Sequence, residues 1–343
     1  MQGGGSGEDS FIARFFRPHA GAPAALGLQD DAALLAPPEG HELVLTKDAL
    51  VAGVHFFPDD PPASIARKAM RVNLSDLAAK GAVPLGALLA LAVPKDGAGR
   101  SAEEQAGGQA DAWMAAFAEA LGADCRHYGC PLLGGDTVST PGPLTLSITA
   151  LGSVPKGQFV PRTGAKAGQA IVVSGTIGDA ALGLMLRQSP SHPAFTVLND
   201  EQRAHLLDRY LHPQPRLALA PALRAHAAAA MDVSDGLAGD LAKMLAASGC
   251  GGRLDAGRVP LSSAAAAVVQ ADSSLLRTVL GGGDDYEILA TMPHGALPQF
   301  VSSAAEMGIS VYHIGEACAA SGLSIHDRDG QPMELDGGSF SHF

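Results

Sequence analysis

The sequence predicts a mixed α/β (α+β) chain in two domains, and three observations lead there. With 343 residues, 47% of them hydrophobic, the chain is long enough to build two cores. Strand-like apolar runs alternate with segments of helical periodicity along its length. Each half also carries a Gly-Asp turn after a strand-like run, and a stretch rich in Gly, Pro and Lys, Pro155 to Gly168, lies between the halves. The expected domains are therefore residues 1–153 and 154–343. No tandem repeat of short period is visible.

The elements follow in order from their periodicity. Phe11, Ile12, Phe15 and Phe16 have helical spacing, which predicts a short amphipathic helix over 8–18. Residues 31–35 and 42–46 read as strands on either side of the Pro37-Pro38-Glu39-Gly40 turn. A helix over 64–80 starts after Pro61-Pro62 and stops at Gly81. Residues 85–93 read as a buried strand, 102–129 as a long Ala-rich helix, and 144–152 as an alternating strand. In the second half, a strand over 170–174 passes through Gly175-Thr176-Ile177-Gly178-Asp179 into a helix over 180–188. Helices over 200–211 and 215–229 follow, with Pro213 and Pro215 around their junction, and another runs from about Asp235 to Ser248. Strands at 286–291 and 310–314 complete the pattern.

Composition excludes several classes. A formal net charge of −12, with only 17% of residues charged, argues against a sequence-independent nucleic-acid binder, which needs a basic face. An anionic substrate would have to be met through metals or local Arg and Lys groups. Cys125, Cys130, Cys250 and Cys318 lack zinc-site spacing and read as reduced residues. Met1 to Ser10 is Gly-rich and acidic, without the basic-then-apolar plan of a signal peptide. The longest apolar stretch, Ala82 to Val93, contains Pro84 and is too short to span a bilayer. The expectation is a cytoplasmic chain with neither nucleic acid nor membrane as partner.

Against this sparse charge, six short acidic motifs stand out. They are Gln29-Asp30-Asp31-Ala32-Ala33, Thr46-Lys47-Asp48, Asn73-Leu74-Ser75-Asp76, Gly134-Gly135-Asp136-Thr137, Asp232-Val233-Ser234-Asp235-Gly236 and Gly282-Gly283-Asp284-Asp285-Tyr286-Glu287. Carboxylates beside apolar segments are costly to bury alone, and carboxylates drawn together repel one another. Several at segment ends point to hard divalent cations, Mg2+ above all. Taken singly, each aspartate reads equally well as a turn or N-cap residue.

Other motifs stay open at this level. Glycines before Asp136 and Asp284 allow close backbone approach to a ligand, and Gly-rich turns expose amides suited to phosphate. There is no P-loop and no protein-kinase motif set. The turn Gly175 to Asp179 at a helix start suits either an anion or a tight strand-to-helix connection. Asn73, Asp76 and Lys80 share a helix face, either as an exposed stripe or as the lining of a site. His55 is a possible substrate donor or a structural histidine. Arg162, in the turn Pro161-Arg162-Thr163-Gly164, is a phosphate contact or a surface arginine.

Taken in order, these motifs resemble the thiamine-monophosphate kinase family, in the superfamily that includes aminoimidazole ribonucleotide synthetase and selenophosphate synthetase. The resemblance rests on Gly7-Glu8 with Phe11 to Arg14, Asp30 to Leu35, Asp48 to Phe56, and Lys68 through Asn73-Leu74-Ser75-Asp76. It continues in Gly134 to Thr137, Asp232 to Leu237, Gly282 to Glu287 and the final Phe340-Ser341-His342-Phe343. It implies an N-terminal mixed sheet or half-barrel with helices, for metal and ATP binding and dimerisation, and a C-terminal α/β sandwich that completes the active site. It also implies transfer of the ATP γ-phosphoryl group to thiamine monophosphate, several Mg2+ ions, and a homodimer. By the same resemblance, Asp31, Thr46, Asp48, Asp76, Asp136, Asp232 and Asp235 are metal ligands. Gly135, Asp136, Arg162 and Ser234 contact ATP, and His55, Asp284 and Phe340 contact the thiamine substrate. No residue is implied as an acid, base or nucleophile.

Three positions depart from the family pattern. Gln29 replaces a Gly, Lys47 stands where a metal-contacting Thr is usual, and Asp284 replaces Glu. Another ATP-dependent enzyme of the superfamily is the nearest alternative, although Met1 to Gly7 has no cysteine of the selenophosphate synthetase kind. A non-catalytic metal- or nucleotide-binding regulator is the alternative of a different class.

Overall fold

The computed structural model describes residues 7–94 and 109–334. They form two compact units. One comprises the chain through Leu77 together with Val83–Gly157, the other Ala78–Ala82 with the chain from Gln158 onward.

The first unit opens with α1 (Gly7–Phe15) and two 3-10 turns, Arg17–His19 and Pro23–Leu28. Its four strands are β1 (His41–Val51), β2 (Val83–Pro94), β3 (Leu132–Thr140) and β4 (Thr145–Pro155), in sheet order β1-β4-β2-β3. β4 is antiparallel to both its neighbours, whereas β2 and β3 run parallel. Helices α2 (Pro62–Ala79) and α3 (Gln109–His127) supply the rest of the core. On α2, Ile65, Ala69, Met70, Leu74 and Leu77 recur with helical period on one face and are buried, as are Phe117 and Leu121 of α3. Alternate strand residues such as Leu50, Leu89, Leu91, Leu146 and Ile148 bury the matching face of the sheet. Arg71 of α2 grips Asp124 of α3 through two hydrogen bonds, at 2.7 and 3.0 Å.

The second unit has a six-stranded sheet in the order β10-β7-β9-β5-β8-β6. Its strands are β5 (Ala170–Ser174), β6 (Ala229–Asp232), β7 (Gly251–Asp255), β8 (Ile288–Met292), β9 (Val311–Cys318) and β10 (Leu323–His326). The helices that position the site are α4 (Asp179–Gln188), α5 (Asp200–Leu211), α6 (Ala220–His226) and α7 (Leu237–Ala247). Three residues, Ser248 to Cys250, separate α7 from β7, and α8 (Ser263–Ala271), α9 (Leu276–Gly281) and α10 (Leu297–Glu306) complete the unit. Central β5 is buried throughout: Ile171 and Val173 join one apolar cluster with Leu182 and Leu241, while Val172 joins another with Met292 and Phe300. A strand covered on both faces reads as a continuous apolar run, which is how the sequence presents it.

The mixed α/β class is therefore what the chain adopts, with local corrections. Residues 31–35 form no strand. Leu34 is 76% exposed and its N–H bonds Ala24 O at 3.0 Å, so the run is tied to the preceding turn instead of to a neighbouring strand. The helix expected over 215–229 is a 3-10 turn, Leu217–Leu219, followed by α6, and its Ala-rich tail enters β6. Alanine favours helix locally, yet pairing with β8 decides the conformation of Ala229 and Ala230. Residues 102–108 of the expected Ala-rich helix lie outside the described residues. Cys125 and Cys130 are buried, and burial pushes the Cys125 thiol up to about 12 and raises that of Cys130 as well. No helix among the described residues is long and apolar enough to cross a membrane.

Candidate active site

In the first unit, the period-two alternation of β1 puts Thr46 and Asp48 on the same face as buried Val44 and Leu50. That face meets α2. Thr46 Oγ1 donates to Asp76 Oδ2, and Asp48 N donates to Asn73 Oδ1 at 3.1 Å. Asn73 is fully buried and donates in turn to Ala69 O at 3.0 Å. The Asn73–Asp76 edge of α2 is thus a lining held against β1. Lys80 lies beyond the end of that helix and belongs to the second unit, where it donates to Ala230 O at 2.7 Å. His55 Nδ1 accepts the Val51 N–H at 3.0 Å, so a neutral ring carries its proton on Nε2 and points a donor away from the backbone.

The opposite face of this sheet forms a cavity of about 640 Å³, lined among others by Asp30, Asp31, Lys47, Gly135 and Asp136. The register places Asp136 opposite Ala90, Ala90 opposite Ser147 and Ser147 opposite Ala49, so Asp136 shares the face of Lys47 and Ala49. The approach to Asp31 is strained: Leu26, Gly27 and Leu28 have φ of 48°, 67° and 52°. Leucine rarely adopts that conformation, and Arg17 Nε braces the loop by donating to Gly27 O at 3.0 Å. At Gly135 a Cβ would fall 1.9 Å from Leu89 O, so the β2–β3 pairing itself requires glycine there. Asp48 and Asp136 remain apart. They sit on the two edge strands, three strand spacings or about 14 Å across the sheet, and on opposite faces.

In the second unit, two motifs that are fifty residues apart in the chain are joined through their backbones. Val233 N donates to Glu287 O at 2.9 Å, Tyr286 N to Val233 O at 2.8 Å and Asp284 N to Ser234 O at 2.9 Å. A Cβ on Gly283 would meet Ser234 O at 2.2 Å, which is why the approach needs glycine. Asp284 and Tyr286 both take positive φ, 71° and 51°, and Tyr286 Oη donates to Asp284 Oδ1 at 3.2 Å. Such backbone strain in two non-glycine residues persists only where the surroundings over-determine it. Glu287 supplies the anchor: it is completely buried and accepts from Ser174 Oγ at 2.6 Å, Arg209 at 2.9 Å and Arg216 Nε at 2.7 Å.

Asp285 resolves the turn at Gly175–Asp179. Its carboxyl accepts from Gly178 N at 2.8 Å and Ala180 N at 3.4 Å, at the start of α4. The group held at this helix start is thus the chain's own Asp285 carboxyl. Burial pushes the Asp285 carboxyl well up, against the Gly178 N–H that lowers it, and the neighbouring Asp179 adds to the rise. Asp232, at the end of β6, is buried, and Ala230 N in the same strand donates to Pro161 O at 2.9 Å. This bond lays the turn carrying exposed Arg162 along β6. The Ser234–Asp235 turn is built by buried Asp240, which accepts from Ser234 N at 3.0 Å and Asp235 N at 2.9 Å. Lys243 donates to Asp235 at 2.5 Å. Phe340 lies outside the described residues.

Asp240, Lys243, Glu287, Arg209 and Arg216 went unrecognised as site components. Only Glu287 had a signal, as the last residue of an acidic motif. Among the described residues, no group of three or more His, Cys, Asp or Glu side chains stands ready to hold a metal ion.

Beside this region, buried Asp179 accepts from Ser262 at 2.5 Å, Thr176 at 2.6 Å and His205 at 3.1 Å. Burial pushes its carboxyl up, but the bonds from His205, Ser262 and Thr176 outweigh that and leave it below its ordinary 3.8. The bond to Asp179 raises His205 above its ordinary 6.5. Asp179 contributes stability above 3.8 and loses it as pH falls through its lowered value; His205 contributes below 6.5 and loses it as pH rises through its raised value. His205→Gln is therefore expected to lower the unfolding midpoint more at about pH 6 than at about pH 9. An equal loss at both pH values would remove the ion pair from the account.

Comparison with known proteins gives the family of the chain. The family model for the AIR synthase related protein N-terminal domain matches residues 29–154, and that for the C-terminal domain matches 166–328. The chain is 42% identical over 334 residues to the thiamine-monophosphate kinase of Caulobacter vibrioides, covering 96% of this chain and 89% of the relative. It is 39% identical to that of Escherichia coli, covering 98% of each. Among solved structures, thiamine-monophosphate kinase from Stenotrophomonas maltophilia superposes with a TM-score of 0.79 at 36% identity, covering 95% of this chain and 96% of that one. AaThiL complexed with AMPPCP and TMP gives 0.75 at 27% identity, with 90% and 89% covered.

Proposed function

As a member of the AIR synthase related family and of its thiamine-monophosphate kinases, this chain is a thiamine-phosphate kinase with ATP as co-substrate, and we propose that it makes thiamine diphosphate by direct in-line transfer. The observation that carries the reading is the pairing of Asp232–Gly236 with Gly282–Glu287 in a chain that matches such kinases over nearly its whole length.

The donor set fits Mg2+. Asp31, Asp48, Asp76, Asp136, Asp232, Asp235 and the Thr46 hydroxyl offer hard oxygen ligands only. One of them, Asp235, already faces a cation, the Lys243 ammonium, as stand-in. Mg2+ held by these groups would screen the repulsion between ATP and the acceptor phosphate.

The chain's own residues do the positioning. Gly135, Asp136, Arg162 and Ser234 are assigned to ATP, with exposed Arg162 offering a fork of donors to phosphate oxygens. His55, through its Nε2–H, Asp284 and Phe340 are assigned to thiamine monophosphate. An acceptor phosphate oxygen attacks the γ-phosphorus and ADP leaves from the opposite side. The acceptor is already ionised near neutral pH, so no strong general base is required. Residues 1–153 are assigned to metal, ATP and dimerisation, and 154–343 complete the site in a cytoplasmic enzyme.

A homodimer is supported by two features of the first unit. The outer face of its sheet exposes Leu43, Leu45, Leu88 and Val138, and Asp48 and Asp136 stay on opposite edges within one chain. A sedimentation mass of twice the 34.7 kDa chain is expected, and a monomer at every concentration would count against it.

The decisive assay is ADP release with thiamine monophosphate and ATP, with and without Mg2+, followed by the stereochemistry at a chiral γ-phosphorus. Inversion is expected, whereas net retention would sink direct transfer. Binding of both substrates without turnover would favour a non-catalytic regulator.

A further inference from the structure

Two carboxylates share one ammonium in the second unit, and they differ in how firmly they are committed. Asp240, on α7, is 1% exposed, and one of its oxygens, Oδ2, accepts the backbone N–H groups of Ser234 and Asp235. Its other oxygen, Oδ1, lies 3.1 Å from Lys243 Nζ, one helical turn further on. Asp240 is thus fixed from both sides. The side chain of Asp235 is 39% exposed and that of Lys243 37%, and they meet at 2.5 Å. The Lys243 ammonium is therefore anchored on the buried acid and extended toward the open one.

We propose that Lys243 is a tethered counter-ion that neutralises Asp235 until a divalent cation arrives, and that it thereby weakens cation binding to the nucleotide-free enzyme. This rests on the reading of Asp235 as a metal ligand. A cation at Asp235 has to displace one hydrogen bond and accept a positive charge nearby, because Lys243 retains its bond to Asp240 and stays in place. At such separations like charges repel appreciably even at a protein surface. The arrangement leaves the two carboxylates and their shared ammonium with a single net negative charge, and it makes occupancy of Asp235 depend on a cation strong enough to outcompete an ammonium.

The test uses Mn2+ alone as probe, with Mg2+ as competitor, on the full chain without nucleotide, reading free Mn2+ by electron paramagnetic resonance. Lys243→Gln is expected to tighten Mn2+ binding about 5- to 10-fold, while Lys243→Arg, which keeps the charge, stays within about 2-fold of the unmodified protein. Thermal midpoints of both variants establish that they are folded, as expected for a half-exposed side chain. Unchanged or weaker Mn2+ binding in folded Lys243→Gln would overturn the counter-ion role, and weaker binding would identify Lys243 as an organiser of Asp235 instead. Absence of Mn2+ binding by both the unmodified protein and Lys243→Gln, with turnover intact, would remove the metal assignment of Asp235 and the inference with it. Absence of turnover, with Mn2+ binding strengthened in Lys243→Gln, would leave the inference standing and remove the kinase mechanism.

Discussion

Asp136→Asn is expected to lower turnover at least about 100-fold while leaving the unfolding midpoint in place. Asp136 is exposed on edge strand β3, on the cavity face and outside the core, so exchanging one carboxylate oxygen for an amide disturbs no packing. What the substitution removes is a full negative charge where the proposed reaction would gather phosphate oxygens and cations. Phosphoryl transfer depends on that charge balance more than on covalent chemistry. The check is kcat at saturating ATP and thiamine monophosphate beside a melting curve. Near-normal turnover would count strongly against the site.

Glu287→Ala should instead destabilise the second unit by about 3–5 kcal/mol, because it removes the buried carboxylate that Arg209 and Arg216 share. Glu287 is fully buried, and the side chains of Arg209 and Arg216 are 10% and 23% exposed. Removing one partner of a buried ion pair leaves the desolvation penalty of the rest without compensation. Its loss also frees Ser174 and releases the loop that holds Asp284 and Tyr286 at positive φ. Urea titration measures the effect, with Glu287→Gln retaining the volume and part of the hydrogen bonding at a smaller cost. A loss below about 1 kcal/mol for the alanine variant would show that the arginines find other partners.

The two expectations separate the kinds of acid in this chain. Asp136 is a charge on an open face, expected to be dispensable for folding and needed for turnover. Asp285, Glu287 and Asp240 are buried acids that turn backbone amides and arginines inward and hold the loops in which Ser234, Asp235 and Asp284 are presented. Sequence neighbours did not distinguish them: Asp284 and Asp285 are adjacent, yet one is half-buried beside Tyr286 and the other caps α4.

What was legible follows from the range of the forces involved. The helices α2, α4, α5 and α7 and the strands β1, β2, β4 and β5 announce themselves because helical and strand periods are written in residues a few positions apart. The order of the acidic motifs, with their glycines, was enough to place the chain in its family. The sheet order, the β-conformation of Ala229 and Ala230, the loss of a strand at 31–35, and the arginine and lysine partners were not legible. Each depends on a partner far away in the chain, such as Arg209 for Glu287, 78 residues apart. The sequence by itself determined the family, because the order of the acidic motifs and their glycines along the chain carries the resemblance to thiamine-monophosphate kinases. Only the tertiary structure decided that Asp240, Asp285 and Glu287 are girders, because burial and hydrogen-bond partners arise only when the chain has folded.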